Sequence, residues 1–195
     1  MYVLIFYNQS ANLQAKNIGK APKMKQKISP FTNQNSSPLN TAFAIGFFTI
    51  LGAWAFELIG GYEPCQLCLT QRIPYYTSLP IIALLLVFWN KIPPMARISA
   101  TLLAAGIFVW SAYLGTYHSG IEWGFWQGPA ACSGGGSSIN FADLNALNDA
   151  RVIPCDTPQF RFLGISFAGY NALISVLIVF FLLKSAIGQF KTKEL

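Results

Sequence analysis

The chain has 195 residues, of which 53% are hydrophobic, 15% aromatic and only 10% charged. Soluble domains carry about 25% charged residues, so this composition excludes a soluble globular protein, and the same hydrophobicity excludes a disordered one. The formal net charge of +6 would suit a nucleic-acid partner, but a membrane explains the placement of the basic residues better, and no nucleic acid is expected.

The chain opens on MYVLIFYNQS, an apolar run too short for a signal peptide or a span. Residues up to 40 continue rich in Asn, Gln, Ser, Lys and Pro and read as a disordered basic arm. Met24, followed by Lys-Gln-Lys, is an alternative start to Met1. A helical span needs about 20 apolar residues, because a hydrocarbon core of ~30 Å is crossed at about 1.5 Å per residue. Residues 41–61, 69–89, 98–118 and 162–183 meet that need. The fold expected is an all-α membrane protein, a four-transmembrane-helix bundle over residues 41–190 with a short tail at 191–195. Pro74 lies in the first turn of the second span, where it is tolerated, and Pro80 lies deeper and should kink it.

Orientation follows from the charges. The arm, the connection between spans two and three, and the tail hold ten Lys or Arg against the single acid Glu194. The opposite side holds Arg72, Arg151 and Arg161 against six acids. The positive-inside rule then puts both termini in the cytoplasm. Two connections face outward, a short one at 60–68 and a long one at 119–161. Within the long one, INFADLNALNDA reads as a short amphipathic helix. Asn140 would cap it, Ile139 and Leu144 would staple it, and Phe141, Leu144 and Leu147 would form its apolar stripe.

All four cysteines fall on the outward side: Cys65 and Cys68 as C-x-x-C at the mouth of span two, Cys132 and Cys155 in the long loop. Haem attachment needs His next, and position 69 is Leu. A tetrahedral zinc site could use four cysteines but usually pairs two close-spaced motifs, which the second pair lacks. Structural disulfides suit Cys132–Cys155, which would staple a loop with little core. They suit Cys65–Cys68 poorly, because a two-residue loop restrains almost nothing and is a redox-active spacing. Pro64 favours a helix starting there, placing both cysteines in a first turn where amides and dipole stabilise a thiolate. Arg72 lies on the same face as Cys68, one turn deeper. It either snorkels to the headgroups or stabilises a thiolate and a reduced anionic small molecule. His118, the only histidine, closes span three at the same level; an amphipathic anchor is its plainer role. The tract SGGGSS after Cys132 keeps that cysteine accessible.

CQLCLTQR opening span two, TYHSGIEWGFWQGPAAC after span three and PCDTPQFRFLGISFAGYN entering span four resemble the DsbB family of bacterial inner membranes, over roughly residues 40–190. Vitamin K epoxide reductase relatives carry the loop cysteines first, so the order favours DsbB. The resemblance implies an oxidoreductase that reoxidises a periplasmic DsbA-type thiol oxidase and reduces ubiquinone or menaquinone. It further implies that Cys132 forms the mixed disulfide with the partner and that Cys155 passes electrons to Cys65. Cys68 would then be the thiolate that reduces the quinone, with Arg72 and His118 on the quinone side. The disulfides implied are Cys65–Cys68 and Cys132–Cys155. An acceptor of that class is physically reasonable, since a DsbA-type oxidant near −120 mV is itself hard to oxidise and glutathione is too reducing. The rival reading is a non-enzymatic membrane scaffold with structural disulfides or a four-cysteine zinc clip.

Overall fold

The computed structural model describes residues 36–129 and 154–193. They form α1 (Ser37–Leu58), α2 (Gln66–Val87), α3 (Pro94–Glu122), a hairpin of β1 (Arg161–Phe162) and β2 (Ile165–Ser166), and α4 (Phe167–Lys193). The arm up to residue 35, Cys132 with its glycine tract, and the expected amphipathic helix all lie outside the described residues.

Each helix starts where its sequence provides for unpaired amides. Prolines stand in the first turns of α1 and α3, where the N–H they lack would have had no helical acceptor. At α2 the cap is sulfur: Cys65 Sγ accepts from Cys68 N at 3.2 Å. At α4 the Ser166 hydroxyl accepts from Gly169 N at 3.3 Å.

The boundaries differ from the hydropathy reading at three places. α1 begins at Ser37, so the last residues assigned to the arm are helical. α3 overruns the expected 98–118 by about a turn at each end, which leaves Glu122 as its last residue. Residues 162–166, expected inside the fourth span, form a tight hairpin with Arg161 opposite Ser166 and Phe162 opposite Ile165. Its two turn residues, Leu163 and Gly164, have φ of 50° and 81°, the positive values that two-residue hairpins need. The helix starts only after it and carries Lys184 and Lys191 in its last turns.

α1, α3 and α4 are long and apolar enough to cross a membrane. α2, which begins three residues before the expected span at 69–89 and ends two residues short of it, is not among them. Its 22 residues would reach ~33 Å at about 1.5 Å per residue, but Gln71, Arg72, Thr77, Ser78, Pro74 and Pro80 lower its hydropathy. It stays helical through both prolines. Gln71 and Ser78 turn inward and are buried, while Thr77 is exposed and donates its hydroxyl to the Ile73 carbonyl within the helix.

That inversion runs through the molecule. Large apolar side chains such as Val87, Leu103, Val176 and Phe180 are exposed, while Ser78, Thr101, Ser111, Ser175 and Ser185 are wholly buried. With lipid as the outer solvent, burying more hydrocarbon gains little, and close packing of small and hydrogen-bonding residues holds the helices together. α3 and α4 make the closest such contact: a Cβ on Gly115 would sit 2.7 Å from Ala172 N and 2.9 Å from Ala168 O. Beside it Ser175 Oγ donates to Ser111 Oγ at 2.9 Å. The apolar core lies below, around Leu79, Ile82, Phe108, Ile178 and Leu182, with Tyr75 set edge-on to Phe108 at 5.2 Å. The C-terminal ends of α1 and α3 and the N-terminal ends of α2 and α4 meet at one end of this bundle, where Glu57, Arg72, Gln71, His118 and Asn171 touch.

Candidate active site

The C-x-x-C begins α2 as the dipole argument requires, with Cys65 at the N-cap in extended conformation and Cys68 in the first turn. The expected Cys65–Cys68 disulfide is not closed in this structure. Both are thiols, with their sulfurs 2.7 Å apart against about 2.05 Å for a bond. Cys65 is the sulfur whose surroundings favour a thiolate. Its pKa falls to about 4, first through the hydrogen bond from the Cys68 thiol, against the opposing effect of burial. The His118 side chain and the Cys68 backbone N–H lower it further. Cys68, the thiolate that the resemblance implied, lies beside it in the first turn.

His118 is 2% exposed and lies within α3, not at its end. Its Nε2 is 3.8 Å from Cys65 Sγ and 3.2 Å from the Cys155 carbonyl. A carbonyl only accepts, so Nε2 carries a hydrogen. Nδ1 lies 2.7 Å from Gln71 Nε2, which donates to it. The amide orientation is fixed further on: Asn171 Nδ2 donates to Gln71 Oε1 at 2.8 Å and faces the Ser111 carbonyl at 3.5 Å. Tyr75 OH donates to Asn171 Oδ1 at 2.7 Å. A chain of side chains from α2, α3 and α4 thus holds the imidazole towards the sulfurs, so His118 is a site residue and not a headgroup anchor.

Cys155 is 1% exposed and packs on Cys65. It is disulfide-bonded; Cys132, the partner expected for it, lies outside the described residues. The segment carrying it is tied down by Gln159 Nε2 donating to the Glu63 carbonyl at 2.6 Å and by Phe160 against Phe56, Tyr62 and Phe167. One ligand atom each of Cys65, His118 and Cys155 lie within 4.8 Å of one another. A metal could use that spacing, but a disulfide sulfur offers no thiolate.

Arg72 does not reach the sulfurs. It pairs with Glu57 near the end of α1, their side chains 13% and 33% exposed. This is the anionic neighbour that an arginine at such a depth needs. Arg72, Gln71, His118, both thiols and Cys155 line one cavity of about 490 Å³, whose walls are otherwise largely apolar, among them Phe48, Ile50, Phe56 and Ile174. Glu57, Gln71, Tyr75, Glu122 and Asn171 were not singled out from the sequence. Gln71 and Asn171 carried a readable signal, since a polar side chain inside an apolar stretch generally has a function.

The family model of the disulfide bond formation protein DsbB matches residues 36–184. The chain belongs to the DsbB family. The family is one of disulfide bond formation in the membrane, a thiol oxidoreductase family, and the three long apolar helices accord with it. A relative in Rickettsia prowazekii (strain Madrid E), an uncharacterized protein, is 32% identical over 147 residues, covering 71% of this chain and 80% of its own. No solved structure matches the chain.

Proposed function

We propose that this DsbB family member spans the inner membrane four times with both termini in the cytoplasm. In this reading it reoxidises a periplasmic DsbA-type thiol oxidase and passes the electrons to a membrane quinone. The observation that carries the reading is the pair of thiols in the wall of an apolar cavity with a disulfide-bonded cysteine beside them. α2 serves as the fourth span because Gln71 and Ser78 face the bundle, where lipid does not meet them, and the exposed Thr77 satisfies its hydroxyl on the Ile73 carbonyl.

The cavity suits a quinone ring. Its volume of about 490 Å³ is within the roughly 300–1,000 Å³ of small-molecule sites, which combine apolar walls with a few polar groups. Arg72, Gln71 and His118 are those groups and would hold the ring oxygens. When bound, the quinone supplies a two-electron sink of sufficiently high potential. The remaining chemistry belongs to the cysteines. The partner's thiolate attacks Cys132, breaking Cys132–Cys155 and leaving Cys155 as a thiolate. Cys155 attacks Cys65 in the closed C-x-x-C, forming Cys155–Cys65 and releasing Cys68 as a thiolate. The partner's second thiol closes its own disulfide and frees Cys132, which attacks Cys155. That restores Cys132–Cys155 and leaves Cys65 and Cys68 reduced, the state the C-x-x-C has here. His118 Nε2–H, aimed at Cys65 and the Cys155 carbonyl, steadies each sulfur anion formed between them.

The test is anaerobic turnover of the purified full chain with a reduced DsbA-type protein and a quinone. One quinone should be reduced per disulfide formed, and no disulfide beyond the first turnover should form without quinone. Continued oxidation with no acceptor, or none with it, defeats the reading.

A further inference from the structure

The reduced C-x-x-C and a quinone-type acceptor do not balance by themselves. Closing the Cys65–Cys68 bond releases two electrons, and reduction of two ring oxygens to hydroxyls takes up two electrons and two protons. Cys65 caps a helix N-terminus, where its Sγ accepts from Cys68 N, and it leaves the interloop disulfide as a thiolate, so the pair brings only one proton. A second group in the cavity has to hold the other.

Glu122 meets the requirement. The last residue of α3, it lines the same cavity. Its side chain is 5% exposed, with Oε1 3.8 Å from His118 Nε2, the nitrogen that also lies 3.8 Å from Cys65 Sγ. Its Oε2 is buried with no hydrogen-bond partner among the described residues. A buried carboxylate oxygen without a partner is costly, and a bound proton removes that cost. The other charged groups of the cavity are Arg72 and Glu57, engaged with each other, and Glu63.

We propose that Glu122 stores the second of the two protons released by the partner's thiols, the one that Cys65 as a thiolate does not take up, and delivers it to the electron acceptor bound in the cavity. Each cycle then closes. During the exchange the partner's two thiols release two protons; Cys68, freed as a thiolate, takes up one and Glu122 the other, and the acceptor receives both as the Cys65–Cys68 bond forms. Glu122 returns to a carboxylate, with its Oε1 3.8 Å from His118 Nε2. The inference rests on the acceptor reading above, and its test separates the two.

Infrared difference spectra of the full chain in nanodiscs without quinone, reduced minus oxidised, should show a carboxylic-acid carbonyl band gained on reduction. Glu122→Gln should abolish the band, Glu122→Asp should shift it, and Glu57→Gln and Glu63→Gln should leave it. With quinone, Glu122→Gln should lower kcat by about 10²-fold, the lower range for a lost proton-transfer group. Its KM should change little, and disulfide exchange with the partner should be unchanged. Glu122→Asp should recover part of kcat and keeps the idea testable if the amide variant does not fold. A spectrum indifferent to both substitutions, or quinone turnover unaffected by Glu122→Gln, overturns the inference. The band without any quinone turnover defeats the choice of acceptor and leaves Glu122 as the proton store of the thiol pair.

Discussion

Replacing Arg72 by Met removes a guanidinium from the cavity wall and leaves most of the stem in place. In the protein Arg72 pairs with Glu57, their side chains 13% and 33% exposed. Glu57 keeps a third of its side chain exposed and can be hydrated once the guanidinium is gone, so Arg72→Met should cost about 1–3 kcal/mol and remain folded. Its effect should fall on the acceptor. A charge-assisted hydrogen bond to a ring oxygen contributes about 1.5–3 kcal/mol. At about 1.4 kcal/mol per decade its loss raises the quinone KM roughly 10–150-fold. Lys at 72 keeps the charge and loses the planar fork, so it should recover only part of this. Glu57→Gln is the informative control, because it releases Arg72 without removing it and should change the quinone KM much less. The assay is quinone titration of turnover with saturating reduced partner, read beside thermal unfolding. The reasoning is refuted if Arg72→Met leaves the quinone KM unchanged. It is equally refuted if Glu57→Gln matches Arg72→Met and the double variant is no worse, since Arg72 would then act only by tying α2 to α1.

Three further outcomes are expected. Alkylation of Cys65 by a thiolate-selective reagent should be nearly independent of pH from neutrality down to about pH 5 and should fall as the pH drops through about 4, because the lowered pKa keeps the thiolate present above that value. A profile rising only near pH 9 would remove Cys65 from the thiolate role. Cys155→Ala should trap a covalent complex of Cys132 with a DsbA-type oxidase, visible on a non-reducing gel and lost when Cys132 is also replaced. Gly115→Ala should destabilise the fold by about 1–3 kcal/mol, the usual cost of overpacking, because its Cβ would meet the Ala172 and Ala168 backbone at 2.7–2.9 Å. Unfolding in detergent at the wild-type temperature would show that α3 and α4 can separate at no cost.

The membrane class, the approximate helices and the place of the C-x-x-C at the start of α2 were legible in the residue order. Hydropathy, proline placement and cysteine spacing are local properties, and lipid makes hydropathy a strong signal. The start of α2 was legible for the same reason, since Pro64, Cys65 and Cys68 are neighbours in the chain, whereas the sulfur cap was not read from them. The hairpin at 161–166 was hidden because Phe162, Leu163 and Ile165 read as apolar, and only the φ of Leu163 and Gly164 turns them out of a helix. Tertiary structure alone decided how distant polar residues meet. Glu57 takes Arg72 from fifteen residues away, and Asn171 reaches Gln71 across a hundred. Gln71 orients His118, and Glu122 finds the cavity of the thiols because α3 runs one turn past His118. Such pairings leave no periodicity in the chain. They arise because a bundle in lipid must satisfy each buried polar group from a neighbouring helix, and which neighbour supplies the partner depends on the packing of all four.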